Sequence, residues 1–158
     1  GFGIIKFILP LLPFASLYFT PLIEIISCVG FFYCSIGALR QLDFKKIVAY
    51  SSIVHMHLVL FALFSFNLKG LVGAVLMMIA HGFTSAGIFF CLGCLYERFS
   101  IREVFHLRSL VTTMPIFTTI FFILILSNIG FPGTINFISE FLCLTGIFLT
   151  FKSLNFIF

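Results

Sequence analysis

Apolar residues in this chain come in long unbroken runs separated by short polar clusters, with no sustained alternation from one position to the next. A crossing of a lipid bilayer needs about 20 apolar residues as a helix, and a membrane β-barrel would show alternating strands. The pattern therefore predicts an all-α, polytopic transmembrane helix bundle. Residues 1–19 form an apolar stretch interrupted by Lys6, Pro10 and Pro13, and read as the end of a helix. Further spans are expected over 21–39, 47–66 and 71–95. The stretch 115–151 is too long for one regular crossing. It holds Gly130-Phe131-Pro132-Gly133-Thr134, where Pro132 removes a backbone donor and the glycines free the chain on both sides. A discontinuous helix broken near Pro132-Gly133 is the expectation. Such a break survives in lipid only where protein or a water-filled cavity satisfies the freed backbone groups.

Composition agrees with a membrane solvent. Of 158 residues 61% are hydrophobic and 9% charged, with a mean hydropathy of +1.26. That is more apolar surface than a soluble domain of this size can bury. The apolar character continues past the start, so no removable leader stands out. The formal charge of +4 is spread over loops and forms no nucleic-acid patch. Six of the nine Lys and Arg residues fall in two loops on one side: Arg40, Lys45 and Lys46, then Arg98, Arg102 and Arg108. The positive-inside rule places that side in the cytoplasm or mitochondrial matrix. Asp43, Glu97 and Glu103 share these loops, so the bias rests on Lys and Arg counts and not on net charge.

Polar groups inside the spans are the candidates for chemistry. Glu140, seven residues beyond Gly133, is an acid just past a broken membrane helix, a pattern typical of ion pathways. His55 lies about 12 Å into its span and His81 about 15 Å into the next, at 1.5 Å per residue. A lone membrane histidine can equally hydrogen-bond a neighbouring helix. His57 lies about 200° around the helix from His55, on another face. Glu24 falls near the end of its expected span, where water can reach it. Tyr50, Ser51 and Ser52 could line a wet path or tie helices together. Cys91 and Cys94 have redox-motif spacing but sit deep in an apolar span. All five cysteines read as small buried hydrophobes. No phosphate loop, metal cluster or nucleophile–base arrangement stands out.

Four segments also resemble one family. Residues 39–56, LRQLDFKKIVAYSSIVHM, carry an LRQxDxKxxIAYSSxxHM pattern; 78–82 read MIAHG; 95–98 read LYER; and 128–141 read NIGFPGTINFISEF. In this order they resemble the antiporter-like membrane subunits of respiratory complex I and of multisubunit sodium/proton antiporters. An acid at position 140 favours one particular complex I subunit of this family, because the related subunits of complex I and of the antiporters usually carry lysine there. Ser139 stands where the pattern usually has glycine. The resemblance implies an inverted-repeat fold, with this chain covering the end of its eighth helix through its broken twelfth.

It further implies a proton half-channel through His55, His81 and Glu140; the counted depths put Glu140, past the break, nearest the face opposite the basic loops. No cofactor is expected on this chain. NADH, FMN, Fe–S clusters and ubiquinone would belong elsewhere in the complex. The implied partners are other membrane subunits of complex I, membrane lipids and the missing first half, on a separate polypeptide or on the rest of one longer subunit. The family's eighth-helix lysine would fall just before Gly1. The implied location is the mitochondrial inner membrane, with a bacterial plasma membrane as the alternative. A sodium/proton antiporter subunit, or a purely structural piece of complex I, are the competing readings.

The charge bias generates a topological prediction. Cysteines introduced at Asp43 and Lys69 should react with an impermeant reagent from opposite sides of the membrane, position 69 from outside. Outside labelling of position 43 but not of position 69 would overturn the assignment.

Overall fold

The computed structural model describes residues 1–100 and 110–154 of the chain, and among these it is helical without a strand. A π-helical turn, Ile4–Ile8, leads into the short α1, Leu9–Leu11. Then come α2, Pro13–Leu39; α3, Phe44–Phe64; and α4, Leu68–Phe99. The chain continues with α5, Leu110–Thr113; α6, Pro115–Ile129; and α7, Ile135–Leu154. Helices α2, α3 and α4 are each long and apolar enough to cross a membrane. The stretch expected to be discontinuous is two helices, α6 and α7, with residues 130–134 between them. Arg102, Glu103 and Arg108 lie outside the described residues.

The spans expected over 47–66 and 71–95 run over Phe44–Phe64 and Leu68–Phe99, and the largest departure is at the start of α2. The helix expected to start at Pro21 starts at Pro13 and runs through Pro21. Proline forfeits one backbone bond and crowds the preceding turn, but lipid offers the chain no competing solvent. Hydroxyls of the turns before it fold back onto the helix, Ser16 donating to Pro13 O at 2.7 Å and Thr20 to Ser16 O at 2.8 Å, while the carbonyl that Pro21 deprives of its donor is that of Leu17. Glu24 is consequently well inside α2, about 16 Å from its start. It is nevertheless close to the far end of α3. The Gly30–His57 and Gly37–Tyr50 contacts set an antiparallel register that carries Glu24 alongside the last turn of α3.

The core sits between α3, α4 and α7. Leu58, Val59, Ala62, Leu63 and Phe64 of α3 pack with Ala74 and Met77 of α4 and with Cys143 and Ile147 of α7. A second cluster joins Val48, Ile88, Cys91 and Phe121 where α6 meets α3 and α4. Most large apolar side chains of α2 point away from the bundle, Phe14, Tyr18, Tyr33 and Leu39 among them. That outer surface suits lipid or neighbouring helices.

Close backbone approach sets how near α7 comes to α4. A Cβ on Gly73 would come within 2.7 Å of Cys143 N and 2.9 Å of the Leu142 carbonyl carbon. One on Gly146 would meet Gly70 Cα and N at 2.5 Å. Without a hydrophobic driving force between helices in lipid, such small-residue contacts supply the van der Waals attraction that holds them. Because backbone faces backbone, neither side can yield by rotating a side chain.

Gly146→Leu should therefore destabilise the folded protein by about 2 kcal/mol, the scale of forced overpacking. Gly93→Ala, whose Cβ meets nothing within 4 Å, should change stability by less than about 0.5 kcal/mol. Thermal unfolding of the two variants in membranes would check this; equal stability would show that the α4–α7 approach is not tight.

Candidate proton-transfer site at the helix break

The break is closed by its own sequence. Gly130 takes the left-handed conformation, φ 76°, that ends α6. Its N–H lies 3.2 Å from Ser127 O, and Phe131 N–H reaches back to Leu126 O at 3.1 Å. This is the Schellman arrangement, for which glycine is the favoured residue. On the far side Thr134 starts α7. Its hydroxyl donates to Phe131 O at 2.8 Å and accepts from Phe137 N–H at 3.4 Å, the geometry of an N-cap.

Two side chains satisfy what the cap leaves over. Asn128 O lies 3.1 Å from His55 Nε2, and Ser127 O receives Asn136 Nδ2 at 2.7 Å. A carbonyl can only accept, so His55 must carry its hydrogen on Nε2. In the neutral ring Nδ1 is then the acceptor. That nitrogen faces Glu140 Oε1 at 3.4 Å. With the tautomer fixed, the pair is complementary when one proton lies between imidazole and carboxyl, as neutral imidazole with carboxylic acid or as imidazolium with carboxylate. With no proton there, a lone pair faces a carboxylate, an arrangement ready to accept one.

Glu140 does not lie beyond the histidines toward the opposite face, as the order of residues implied; it sits against His55. Side chains in a helix lean toward its N-terminus, so the carboxylate reaches back over the break. Gly130 leaves the room: a Cβ there would lie 2.5 Å from Glu140 Oε2. His81 is 5% exposed, and its ring centroid lies 4.9 Å from that of His55, tilted by 45°. The three residues thus form one cluster and not three successive depths.

Around them runs a polar seam. Asn128 Nδ2 donates to Ser51 Oγ at 3.2 Å, and Asn136 Nδ2 approaches Thr84 Oγ1 at 3.3 Å. His81 Nδ1, Asn128 Oδ1 and Asn136 Oδ1 are buried without a hydrogen-bond partner. Each keeps an unused hydrogen-bonding position. Ser139 is fully buried, donating to Asn136 O at 2.7 Å and resting 3.1 Å from Met77 Sδ. Asn128, Asn136 and Thr84 were not singled out from the sequence. Two asparagines bracketing a glycine–proline break in an apolar run were the available signal, since the break must find donors for its carbonyls.

Other candidates lie apart. The His57 ring packs over Gly30 on α2, where a Cβ would come within 2.4 Å. It lines a cavity with Ser27, Cys28 and Phe31, away from Glu140. Glu24 joins no ion pair among the described residues. The cysteines are unpaired, and no group of three or more His, Cys, Asp or Glu residues among the described residues is arranged to hold a metal ion.

Comparison with known proteins gives a consistent picture. The family model described as "NADH:quinone oxidoreductase/Mrp antiporter, TM" matches residues 1–158. NADH-ubiquinone oxidoreductase chain 4 of Acanthamoeba castellanii is 45% identical over 147 residues, covering 93% of this chain and 30% of that protein. NADH-quinone oxidoreductase subunit M of Rhodobacter capsulatus is 41% identical over 148 residues, covering 94% of this chain and 29% of that protein. A chain in the structure of respiratory complex I from Thermus thermophilus with bound NADH superimposes with a TM-score of 0.90 at 30% identity. The match covers 94% of this chain and 32% of that one. The chain thus spans about a third of the length of the relatives it matches.

The contact between Gly130 and Glu140 can be isolated. Gly130→Ala and Gly133→Ala both force alanine to positive φ, 76° and 102°, at about 1 kcal/mol or more, with the larger strain at Gly133. At Gly133 a Cβ meets nothing within 4 Å, whereas at Gly130 it displaces the carboxylate. The infrared carboxyl signal of Glu140, identified by its loss in Glu140→Gln, should shift in Gly130→Ala and hold in Gly133→Ala. Identical spectra would refute the contact.

Proposed function

The chain belongs to the NADH:quinone oxidoreductase/Mrp antiporter transmembrane family, and on that premise we propose that it forms a proton-translocating half-channel in the membrane part of respiratory complex I. The observation that carries this reading is the His55–Glu140 pair, held by a backbone carbonyl in a state that takes one proton.

The three residues have distinct roles. His55, pinned through Nε2 to Asn128 O, keeps Nδ1 directed at Glu140. Glu140 is the other end of the shared proton. His81, in ring contact with His55, receives the next one. A proton arriving on His81 places positive charge beside the pair and repels the proton already held there. That proton leaves from Glu140, and the proton on His81 refills His55 Nδ1, so the count balances: one in, one out. Imidazole suits the relay because one ring nitrogen can keep its hydrogen while the other takes up or gives a proton. Ser51, Asn128, Thr84 and Asn136 supply hydroxyls and amides that can order intervening water.

The energy that drives the cycle comes from outside this chain. NADH oxidation through FMN and Fe–S clusters, and ubiquinone reduction, belong to other subunits in this reading. The partners are the neighbouring membrane subunits of complex I, the remainder of the subunit and membrane lipids. The outward apolar face of α2 is available for those contacts. We assign the chain to the mitochondrial inner membrane, since several of its more similar relatives are chain 4 proteins of eukaryotes. Those names also favour complex I over a free-standing sodium/proton antiporter.

Glu140→Gln tests the assignment, because it preserves shape and hydrogen bonding while removing the titratable proton. The complex should assemble, and proton transport through this half-channel should fall about a hundredfold or more, the range of a lost general acid–base group. Glu140→Asp should retain more activity, and Glu24→Gln should matter little. Normal pumping stoichiometry in a fully assembled Glu140→Gln complex would sink the reading.

A further inference from the structure

We infer that Asn136 is a positioning residue for the proton pair: its carboxamide sets the spacing of the two half-helices and so seats Glu140 beside His55. The inference rests on the proton-channel reading above and gives Asn136, which that reading uses only to order water, a second role.

Asn136 lies on α7 one turn before Glu140, so both project from the same face of the helix. It is 1% exposed. Its Nδ2 carries two hydrogens, and two acceptors on two other helices are in range: Ser127 O of α6 at 2.7 Å and Thr84 Oγ1 of α4 at 3.3 Å. The amide orientation is dictated by its surroundings, because a flipped group would put oxygen against the Ser127 carbonyl. One side chain thereby joins the end of α6, the start of α7 and the middle of α4.

The geometry of the proton pair depends on that joint. His55 is attached to the last turn of α6 through Asn128 O, whereas Glu140 is carried by α7. Their 3.4 Å separation is therefore a distance between two helices that the chain itself connects only through residues 130–134. Gly130 and Gly133, both at positive φ, leave that connection pliable. The cap bonds at Gly130 and Phe131 close α6 on itself, and the Thr134 cap belongs to α7. Among the described residues the Asn136–Ser127 bond is the side-chain hydrogen bond that crosses from α7 to α6. Without it Ser127 O keeps Gly130 N–H, and the Thr84 hydroxyl keeps Ala80 O and His81 O within 3.2 Å. Each partner can thus be satisfied separately. What is lost is the link between the half-helices.

The test is a double-variant cycle in the assembled complex, reading protons transported per electron and the pH dependence of that transport. Asn136→Ala should lower transport about fivefold, the size expected for loss of one net hydrogen bond, and should displace the pH profile. Asn136→Ser, which keeps one short donor, should recover part of the loss. Adding Asn136→Ala to Glu140→Gln should cause no further decrease, since the residue it positions is already disabled. Normal transport in Asn136→Ala while Glu140→Gln is impaired would overturn this inference alone. Normal transport in Glu140→Gln would overturn the reading beneath it. A full additional loss in the double variant would mean that Asn136 serves the fold and not the pair, and would also overturn it. Should Asn136→Ala fail to assemble, Asn136→Ser and Thr84→Val carry the test, and unaltered transport and pH profiles in both would refute the proposal.

Discussion

The carbonyl groups at the end of α6 have to find donors inside a membrane. In water a helix that stops is rescued by solvent, but in lipid each unsatisfied backbone group costs several kcal/mol. Here the donors are a glycine cap, an asparagine from the next half-helix and a histidine from α3. The structural demand thereby recruits a titratable ring and fixes its tautomer. Chemistry at this site is a consequence of closing the break, because the bond that satisfies Asn128 O also turns Nδ1 of His55 toward Glu140.

The arrangement requires α7 to be held closely enough for its side chains to reach. Gly70 and Gly73 on α4 meet Gly146 and the 142–143 backbone on α7, so the helices approach at backbone distance. This brings Asn136 to Thr84 and Ser139 to Met77 on the same α4 that carries His81. Helix α4 is thus both the wall against which the broken element is packed and the carrier of the second histidine. Small residues at one end of the α4–α7 contact and polar residues at the other divide attraction from chemistry along the same pair of helices.

Much of this was legible in the sequence, and the failures have physical causes. Long apolar runs marked the spans, since lipid admits few alternatives to a helix, and Gly130-Phe131-Pro132-Gly133 marked the break. The start of α2 was misjudged because Pro21 stops helices in water more reliably than in an apolar surrounding. The depth of Glu140 was misjudged because counting residues along a helix ignores the backward lean of its side chains, which spans about a turn. Asn128 and Asn136 escaped notice as chemistry because an isolated asparagine has no periodic signature. Their significance lies in which carbonyls they stand beside, and that is a property of three dimensions. The resemblance to the family rested on four short motifs in one order, and the family match over residues 1–158 agrees with it.

The central claim is that Asn128 O fixes the His55 tautomer and leaves Nδ1 to share a proton with Glu140. The most direct measurement is the ¹⁵N chemical shift of both ring nitrogens of His55, followed with pH in the membrane-embedded protein. Nε2 should stay protonated throughout, while Nδ1 gains and loses its proton together with the Glu140 carboxyl. A neutral ring with its hydrogen on Nδ1 and a bare Nε2, or a Nδ1 signal that is unchanged in Glu140→Gln, would contradict the account.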